Sequence, residues 1–266
     1  MNKHILVIGG ASRGARYFIK NALNAGNNVT AVCRGNEYQS AAVRLESILA
    51  LTTLTPKKEL SGANVISGKL QVLSYNIQTA ETYIKILTDY PDIDSIFSFI
   101  GPTRDTLFNR KIKLYTTTIS AIVEGMRKSR YVEFYYHGSV GSEGVPGESS
   151  TKLPAHYPWY KNILLPILYP VFKDVTESEN LLAKSKKDGL KFVIFRPDAL
   201  TNEKAKRNFM YTFDHAIFNK PDFNLKTADK FISREDVAEE ILRISTLPLN
   251  EREIYFGHAV YMVDKI

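Results

Sequence analysis

The chain has 266 residues, of which 44% are apolar and 24% are charged. This composition is ordinary for a globular protein with a substantial core, and it excludes a disordered chain, a collagen and a disulfide-stabilised miniprotein. Lysine and arginine number 35 against 28 aspartate and glutamate, so the net charge is +7. Because the basic residues are scattered rather than gathered in one run, the charge favours an anionic ligand and argues against nucleic acid as a partner.

The longest apolar stretch, 163–172, has only ten residues and is interrupted by Pro166 and Pro170. A membrane-spanning helix needs about 20 apolar residues, so we expect no integral membrane segment, and we expect no signal peptide at the N-terminus. Cys33 is the single cysteine, which permits no internal disulfide and is compatible with a reducing, cytoplasmic location. The five histidines lack metal-ligand spacing, so we expect no bound metal.

Short β-branched runs alternate with amphipathic helical segments along most of the chain. Strands are predicted at 4–8, 28–33, 70–74, 95–100, 132–137, 191–195 and 253–256. Helices are predicted at 13–25, 38–52, 78–88, 112–128, 174–187 and 234–245. The alternation predicts an α/β protein with a doubly wound, mostly parallel sheet of the Rossmann type and helices on both faces.

No linker, internal repeat or low-complexity segment divides the sequence, so we predict a single domain over 1–266. Two connections, 35–69 and 139–173, are too long for tight turns. Long connections in a compact domain usually serve function, and these two are candidates for ligand contacts.

The first predicted strand runs directly into the segment 9–14, Gly-Gly-Ala-Ser-Arg-Gly, and a helix follows at once. Glycines let the backbone turn sharply and let a diphosphate approach the helix N-terminus, where free N–H groups and the helix dipole favour negative charge. A glycine-rich string also occurs in plain turns, but the strand–turn–helix context is the one that dinucleotide binding requires. The sequence therefore predicts a dinucleotide site at this turn.

The end of the second strand distinguishes the two nicotinamide cofactors, since an acid there binds the ribose hydroxyls of NAD and an arginine accommodates the 2′-phosphate of NADP. Here the strand runs into Arg34 without an acid, and Arg13 lies in the turn. Two guanidinium groups on one phosphate favour NADP over NAD. Two alternatives stay open: Arg34 is a solvated loop residue, or Glu37 binds the ribose of NAD.

Five further features in chain order carry a resemblance to a known family. They are ILVIGGASRG at 5–14 with the strand 29–34, SIFSFIGP at 95–102, EFYYHGS at 133–139, LKFVIFRP at 190–197 and ISREDVA at 232–238. The chain resembles the short-chain dehydrogenase/reductase superfamily, and in particular its atypical branch with the NmrA-like proteins and the flavin/biliverdin-IXβ reductases. The glycine pattern departs from the family: Ser12 and Ala15 replace the second and third glycines of GxxGxxG. Gly10 and Gly14 instead match the TGxxxGxG form, whose last glycine is replaced by Arg16.

The resemblance implies an NAD(P)-binding site and a role for each residue that lines it. Asn76 stands where the superfamily often has an aspartate on the adenine amino group, and Gly101 borders the ribose–nicotinamide track. The predicted cofactor-binding residues are Gly9, Gly10, Ser12, Arg13, Gly14, Arg34, Asn76 and Gly101.

Family enzymes with a Tyr-x-x-x-Lys pair use the lysine to stabilise the phenolate, so that the tyrosine exchanges a proton with the substrate oxygen. Two such pairs occur here, Tyr157/Lys161 and Tyr169/Lys173. With 15 tyrosines, roughly one pair is expected by chance. Because the family's tyrosine precedes the Arg-Pro strand by about 26 residues, the resemblance favours the second pair as catalytic, with core or lid packing as the competing role.

Ser139, which follows the fifth strand, matches the serine that orients the substrate oxygen in the family, although a serine there also forms turns. His137, Ser142 and Tyr136 are nearby alternatives, and His137 is interpreted as a strand-end residue satisfied by packing. Atypical members often lack the catalytic tyrosine and carry an Asp-x-x-x-x-Glu helix, which is matched by Asp174 and Glu179.

The segment 156–172 contains the only tryptophan and a run of aliphatic residues. We assign 139–173 and 197–231 to the substrate side, and the aromatic walls suit an apolar or aromatic small molecule. Two other readings are a subunit interface, which would make the protein a homo-oligomer, and a surface that contacts a membrane.

The leading prediction is an NADP-dependent reductase that transfers hydride to a carbonyl, imine or conjugated alkene of an apolar molecule. Two alternatives stay open: an NADP(H)-binding sensor or scaffold of the NmrA type, and an isomerase, epimerase or cyclase that holds the dinucleotide without net redox change.

Overall fold

A computed structural model describes residues 2–33, 68–102, 113–139, 165–212 and 231–264. Ten strands lie in this part of the chain: β1 (His4–Ile8), β2 (Asn28–Cys33), β3 (Leu70–Ser74), β4 (Ile93–Ser98), β5 (Glu133–His137), β6 (Phe192–Pro197), β7 (Ala199–Thr201), β8 (Phe209–Thr212), β9 (Phe231–Ser233) and β10 (His258–Asp264). Its helices are α1 (Arg13–Asn24), α2 (Ala80–Asp89), α3 (Leu114–Lys128), α4 (Leu165–Ser185), α5 (Arg234–Thr246) and α6 (Leu249–Arg252).

Eight strands form one sheet in the order β3-β2-β1-β4-β5-β6-β10-β8. All neighbouring pairs are parallel except β10 with β8, which is antiparallel. The order reverses between β1 and β4, where Ile8 lies between Val32 of β2 and Ser98 of β4. In an open sheet of this kind, ligands bind at the carboxyl ends of the strands beside that reversal. A separate parallel pair joins β7 and β9.

Helices cover both faces of the sheet, which confirms the predicted doubly wound α/β fold. One apolar cluster packs α2, α3 and α4 against one face, and a second packs α1 and α5 against the other. Because both faces are covered, the central strands are almost continuously apolar, as the four fully buried residues of β1 after His4 illustrate. Within α1 and α5, the buried positions recur with helical spacing and leave polar residues outside.

The predicted strand 253–256 is wrong. Residues Glu253–Tyr255 form a 3₁₀ turn, and the strand begins only at His258. Gly257 adopts a φ of +81°, and its N–H donates to the carbonyl of Phe192 at 2.7 Å. The chain therefore turns at this glycine before it joins β6, which the apolar residues alone do not indicate.

The predicted helix 174–187 begins too late, because α4 starts at Leu165 and contains Pro170. Pro166 lies in the first turn, where a backbone N–H has no partner within the helix and its absence costs nothing. Pro170 lies inside the helix and removes one hydrogen bond of its first turns, yet the helix continues through it. The short strands β7, β8 and β9 were not predicted, and the predicted helix 38–52 lies outside the described residues.

Candidate functional site

The predicted dinucleotide turn lies at the carboxyl end of β1, beside the point where the strand order reverses. Gly9 has a φ of +75°, and a Cβ built on it would stand 2.9 Å from the carbonyl oxygen of Phe99. The N–H groups of Gly9 and Gly10 both donate to the carbonyl of Val32 at 3.1 Å. Only glycine combines this left-handed conformation with such a close approach of the next strand, so the sequence dictates the turn locally.

Gly10 lets α1 approach the sheet closely, whereas a Cβ at Gly14 would make only an ordinary contact. A Cβ on Gly10 would lie 3.0 Å from the Cβ of Ala31, and a Cβ on Gly14 would lie 3.4 Å from the Phe99 ring. Ser12, which replaces a family glycine, caps α1 by accepting a hydrogen bond from the N–H of Ala15 at 3.2 Å. The serine is therefore compatible with the turn, because it performs the capping that begins the helix.

The N–H groups of Arg13 and Gly14, in the first turn of α1, make no hydrogen bond within the described residues. Free first-turn amides, together with the positive end of the helix dipole, form an anion site. A glycine-lined cradle with two free donors fits a diphosphate. These residues would therefore hold the diphosphate of a dinucleotide, as the sequence predicts.

Asn76 follows β3 and Gly101 follows β4, so both lie at the carboxyl edge of the sheet. The exposed Asn76 accepts the N–H of Gln78 through its side-chain oxygen at 3.0 Å, and its carbonyl accepts the hydroxyl of Thr82 at 2.7 Å. Asn76 thus closes the turn into α2, and the second lone pair of its side-chain oxygen could still accept an adenine amino group. Among the described residues, a Cβ on Gly101 would meet no atom within 4 Å. Arg34 lies outside the described residues.

His137 ends β5 and packs against the same phenylalanine that supports the turn, with the ring centroids of His137 and Phe99 5.6 Å apart. Burial, together with the nearby charge of Arg234, lowers the pKa of His137 to about 4. The imidazole is therefore neutral at pH 7 and cannot donate a proton as imidazolium. This agrees with its interpretation as a packed strand-end residue.

Ser139 follows β5 at the carboxyl edge of the sheet and is half-buried. The preceding Gly138 donates its N–H to the carbonyl of Phe195 at 2.8 Å, which holds this segment against β6. A Cβ on Gly138 would lie 2.5 Å from Oε1 of Glu179, so no side chain fits there. The local packing thus positions Ser139 just beyond the strand, and its catalytic role stays a prediction. Ser142 lies outside the described residues.

Tyr169 and Lys173 lie one turn apart near the start of α4, and both side chains are exposed, Tyr169 by 51%. They occupy the side of α4 opposite its buried residues. The buried Asp174, which directly follows Lys173, accepts the N–H groups of Tyr115 and Thr116 at 2.8 and 2.9 Å, and so caps α3 where that helix begins. The pair therefore lies at the carboxyl edge of the sheet, and its catalytic role stays a prediction. Tyr157 and Lys161 lie outside the described residues.

Glu179, the second acid of the helix motif, is fully buried with Arg196 of β6. Arg196 donates to Oε2 of Glu179 from Nη2 at 2.5 Å and from Nε at 3.1 Å, and it donates from Nη1 to the hydroxyl of Tyr261. Together with the capping role of Asp174, these contacts make the motif a structural device that joins α4 to α3 and to the sheet.

Arg234 is a site residue that the sequence reasoning did not single out. It is the first residue of α5, directly after the N-cap Ser233; burial and the charge of Arg13 lower its pKa, and its own charge helps to lower the pKa of His137. The available signal was the position of an arginine immediately after a helix cap in a segment that resembles the family.

Within the described residues, no helix is both long and apolar enough to cross a membrane. The same part of the chain contains no group of three or more histidine, cysteine, aspartate or glutamate side chains that could hold a metal ion.

The model of a family described as NAD(P)H-binding matches residues 9–248. No curated protein matches the chain. Among solved structures, the chain is similar to a proposed NADH-flavin reductase of Streptococcus pneumoniae, with 16% identity, coverage of 99% of this chain and 100% of that one, and a TM-score of 0.62. It is also similar to the anaerobillin reductase ChuY of Escherichia coli, with 15% identity, coverage of 98% and 97%, and a TM-score of 0.64.

A third similar structure is a wide-type short-chain dehydrogenase/reductase of Veillonella parvula in complex with NADP, with 17% identity, coverage of 98% and 94%, and a TM-score of 0.61. At these identities the likeness to the three structures concerns the fold. It agrees with the Rossmann-type sheet that the alternation of strands and helices predicts.

Proposed function

The chain belongs to the NAD(P)H-binding family, as its resemblance to the atypical short-chain dehydrogenase/reductases predicted, and on this premise we propose that it is a reductase of small molecules. The observation that carries the proposal is the turn at the end of β1, with its glycine cradle and the two unpaired amides of Arg13 and Gly14. When bound there, the reduced nicotinamide supplies hydride to a carbon of the substrate, and the substrate oxygen or neighbouring carbon takes up a proton.

We propose NADP rather than NAD as the cofactor. Arg13 is exposed at the start of α1 and makes no ion pair within the described residues, so its guanidinium is free to bind a phosphate. A guanidinium forms strong, charge-assisted hydrogen bonds with phosphate oxygens. Arg34 would be the second partner of the 2′-phosphate.

The proposed catalytic residues are Ser139, Tyr169 and Lys173. Ser139 lies just beyond β5, at the edge of the sheet where the cofactor would lie, and would donate a hydrogen bond to the substrate oxygen. Tyr169 would give its hydroxyl proton to that oxygen as hydride reaches the adjacent carbon, and the ammonium of Lys173 would stabilise the resulting phenolate. Tyr169 and Lys173 lie one helical turn apart on the same exposed side of α4, a spacing that lets the ammonium reach the phenol and supports the assignment.

The proposed substrate is an apolar or aromatic molecule with a carbonyl, imine or conjugated alkene. The aromatic and aliphatic composition of 156–172 supports this class. In the described part of that segment, the exposed ring of Tyr169 offers apolar surface beside a polar hydroxyl.

The proposed activity is tested by incubating the protein with NADPH or NADH and a panel of quinones, flavins and enones, while following absorbance of the reduced nicotinamide. We expect steady oxidation of NADPH with at least one acceptor and a lower rate with NADH. Tight binding of NADPH without turnover across the panel would favour the sensor or scaffold instead. Conversion of a substrate without net oxidation of NADPH would favour the isomerase, epimerase or cyclase.

Replacing Tyr169 with phenylalanine is expected to lower kcat by about 10²-fold, because the proton donor is lost while the ring that contacts the substrate is retained. Steady-state kinetics with the best acceptor of the panel measures the effect. Tyr131→Phe is the matched control, since Tyr131 is also exposed, by 38%, but precedes β5 at the opposite edge of the sheet. An unchanged kcat for Tyr169→Phe would assign the proton to water and contradict the role of the tyrosine.

A further inference from the structure

Arg234 is anchored by one end of its guanidinium group and free at the other. Its Nη1 donates to the carbonyl of Leu200 at 3.1 Å and to Oδ1 of Asn202 at 2.8 Å. Nε and Nη2 make no hydrogen bond within the described residues. The side chain is half-buried, and these two nitrogens are not among the buried polar atoms that lack a partner. Two donors of a fixed arginine are therefore accessible to a ligand.

Arg234 lies near several of the elements that surround the dinucleotide turn. The helix that it begins, α5, packs along α1, which starts at Arg13. The Phe99 ring lies 3.4 Å from the place where a Cβ on Gly14 would stand, and its centroid lies 5.6 Å from the centroid of the His137 ring. His137 in turn lies within electrostatic reach of Arg234. Arg234 is hydrogen-bonded to Leu200 of β7, which follows the carboxyl end of β6, so it lies at the same edge of the sheet as the dinucleotide turn.

No acid neutralises this arginine within the described residues. Its pKa is lowered first by burial and then by the positive charge of Arg13. The carboxylates of the first turn of α5 are engaged elsewhere, since Glu235 accepts the N–H of Ala205 and Asp236 accepts the N–H of Lys206. The positive charges of Arg13 and Arg234 repel each other, and phosphate groups bound to either arginine would offset that repulsion.

We propose that Arg234 binds the diphosphate of the dinucleotide from the side opposite the glycine turn, so that the diphosphate lies between the free amides of α1 and the Nε and Nη2 donors of Arg234. This inference rests on the proposed cofactor and adds a residue that holds it. A planar guanidinium with two adjacent free donors matches two phosphate oxygens. Arg13, the first residue of α1, would bind the 2′-phosphate instead.

The two arginines should differ in which cofactor they affect. The diphosphate is common to NADPH and NADH, whereas only NADPH has a 2′-phosphate. Arg234→Gln is expected to weaken the binding of both cofactors by the same factor, about 10- to 100-fold, which is the range for lost hydrogen bonds between charged groups. Arg13→Gln is expected to weaken the binding of NADPH more than that of NADH.

The experiment is isothermal calorimetry of each variant with NADPH and with NADH. Lys20→Gln is the matched control, because it removes the same charge from α1, about 10 Å along the helix from Arg13, and Lys20 makes no ion pair within the described residues. Its two dissociation constants should stay within twofold of the wild type. Arg234→Lys should retain part of the affinity, since the charge remains and the two-pronged geometry is lost.

Thermal unfolding of each variant without cofactor shows whether a loss of binding reflects a loss of folding. If Arg234→Gln is unstable, Arg234→Lys still tests the site. An Arg234→Gln variant that binds both cofactors like the wild type would overturn the inference, and so would a loss confined to NADPH. A rise in the KM of an anionic acceptor with unchanged cofactor binding would also overturn it and assign the arginine to the substrate. If the wild type itself binds neither cofactor, the proposed function fails, and that result is distinct from a failure of Arg234 alone.

Discussion

Replacing Arg196 with methionine is expected to lower the free energy of unfolding by about 3–5 kcal/mol, because the substitution leaves the carboxylate of Glu179 buried without its partner. Both side chains are fully inaccessible to solvent, and two of the arginine's nitrogens donate to the same carboxylate oxygen. The guanidinium also lies over the Tyr261 ring, 5.1 Å from its centroid, so the methionine loses a hydrogen bond and a cation–π contact as well. Urea denaturation measures the change.

Arg127→Met is the control for this prediction. Arg127 also pairs with an acid, Asp188, at 3.0 Å, but its side chain is 52% exposed. An exposed pair of this kind contributes at most about 1 kcal/mol. The double variant Arg196→Met/Glu179→Met should recover part of the stability that the single variant loses, since it removes the buried charge. A loss below about 1 kcal/mol for Arg196→Met alone would contradict the structural role of this pair.

Gly9→Ala is expected to raise the dissociation constant of NADPH at least about tenfold and to lower the free energy of unfolding by about 2–3 kcal/mol. The left-handed backbone costs an alanine about 1–2 kcal/mol. In addition, the new methyl group would stand 2.9 Å from the backbone oxygen of Phe99, which cannot move without shifting the end of β4. The shift displaces the amides of α1 that would hold the diphosphate. Calorimetry with NADPH and urea denaturation measure the two effects.

Gly189→Ala separates the cost of the left-handed backbone from the cost of the clash with the Phe99 oxygen. Gly189 shares the left-handed conformation, with a φ of +91°, but a Cβ there would meet no atom within 4 Å, and it lies beyond the end of α4, away from the turn. This control should lose about 1 kcal/mol of stability and keep the affinity for NADPH. If Gly9→Ala bound NADPH within twofold of the wild type, the turn would not be the diphosphate site.

The dinucleotide turn could be predicted because its determinants are local. Gly9, Gly10 and Gly14 come within six residues, directly after an apolar strand and before an amphipathic helix, and a close approach of neighbouring atoms favours glycine at the first two. The sheet could be predicted for a similar reason, since strands covered on both faces need continuous apolar runs. Both signals lie within a few residues of the features that they predict.

The errors arise where local sequence does not decide the outcome. The prolines of α4 resemble helix breakers, and only the position of the helix start shows that Pro166 costs no hydrogen bond. The residues of 253–256 have strand-like side chains, yet the backbone of Gly257 turns the chain before it pairs with β6. Propensity is a weak guide in such segments because packing partners distant in sequence override it.

The catalytic assignment depends on the family resemblance more than on any local signal. A tyrosine four residues before a lysine occurs by chance in a chain with 15 tyrosines, so the spacing of Tyr169 and Lys173 carries little information by itself. The fold adds that this pair lies at the carboxyl edge of the sheet, directly before Asp174, which caps α3. The role in proton transfer awaits the kinetics of the phenylalanine variant.

By itself, the amino-acid sequence determined the α/β class, the order of the central strands and helices, and the glycine turn with its helix cap, because each follows from hydrophobic period or backbone freedom over a few neighbouring residues. Tertiary structure alone decided that Glu179 meets Arg196 inside the core and that α5, which begins at Arg234, packs along α1, which begins at Arg13. Contacts of this second kind depend on how whole helices and strands pack, and side chains far apart in the chain carry no mutual signal until that packing brings them together.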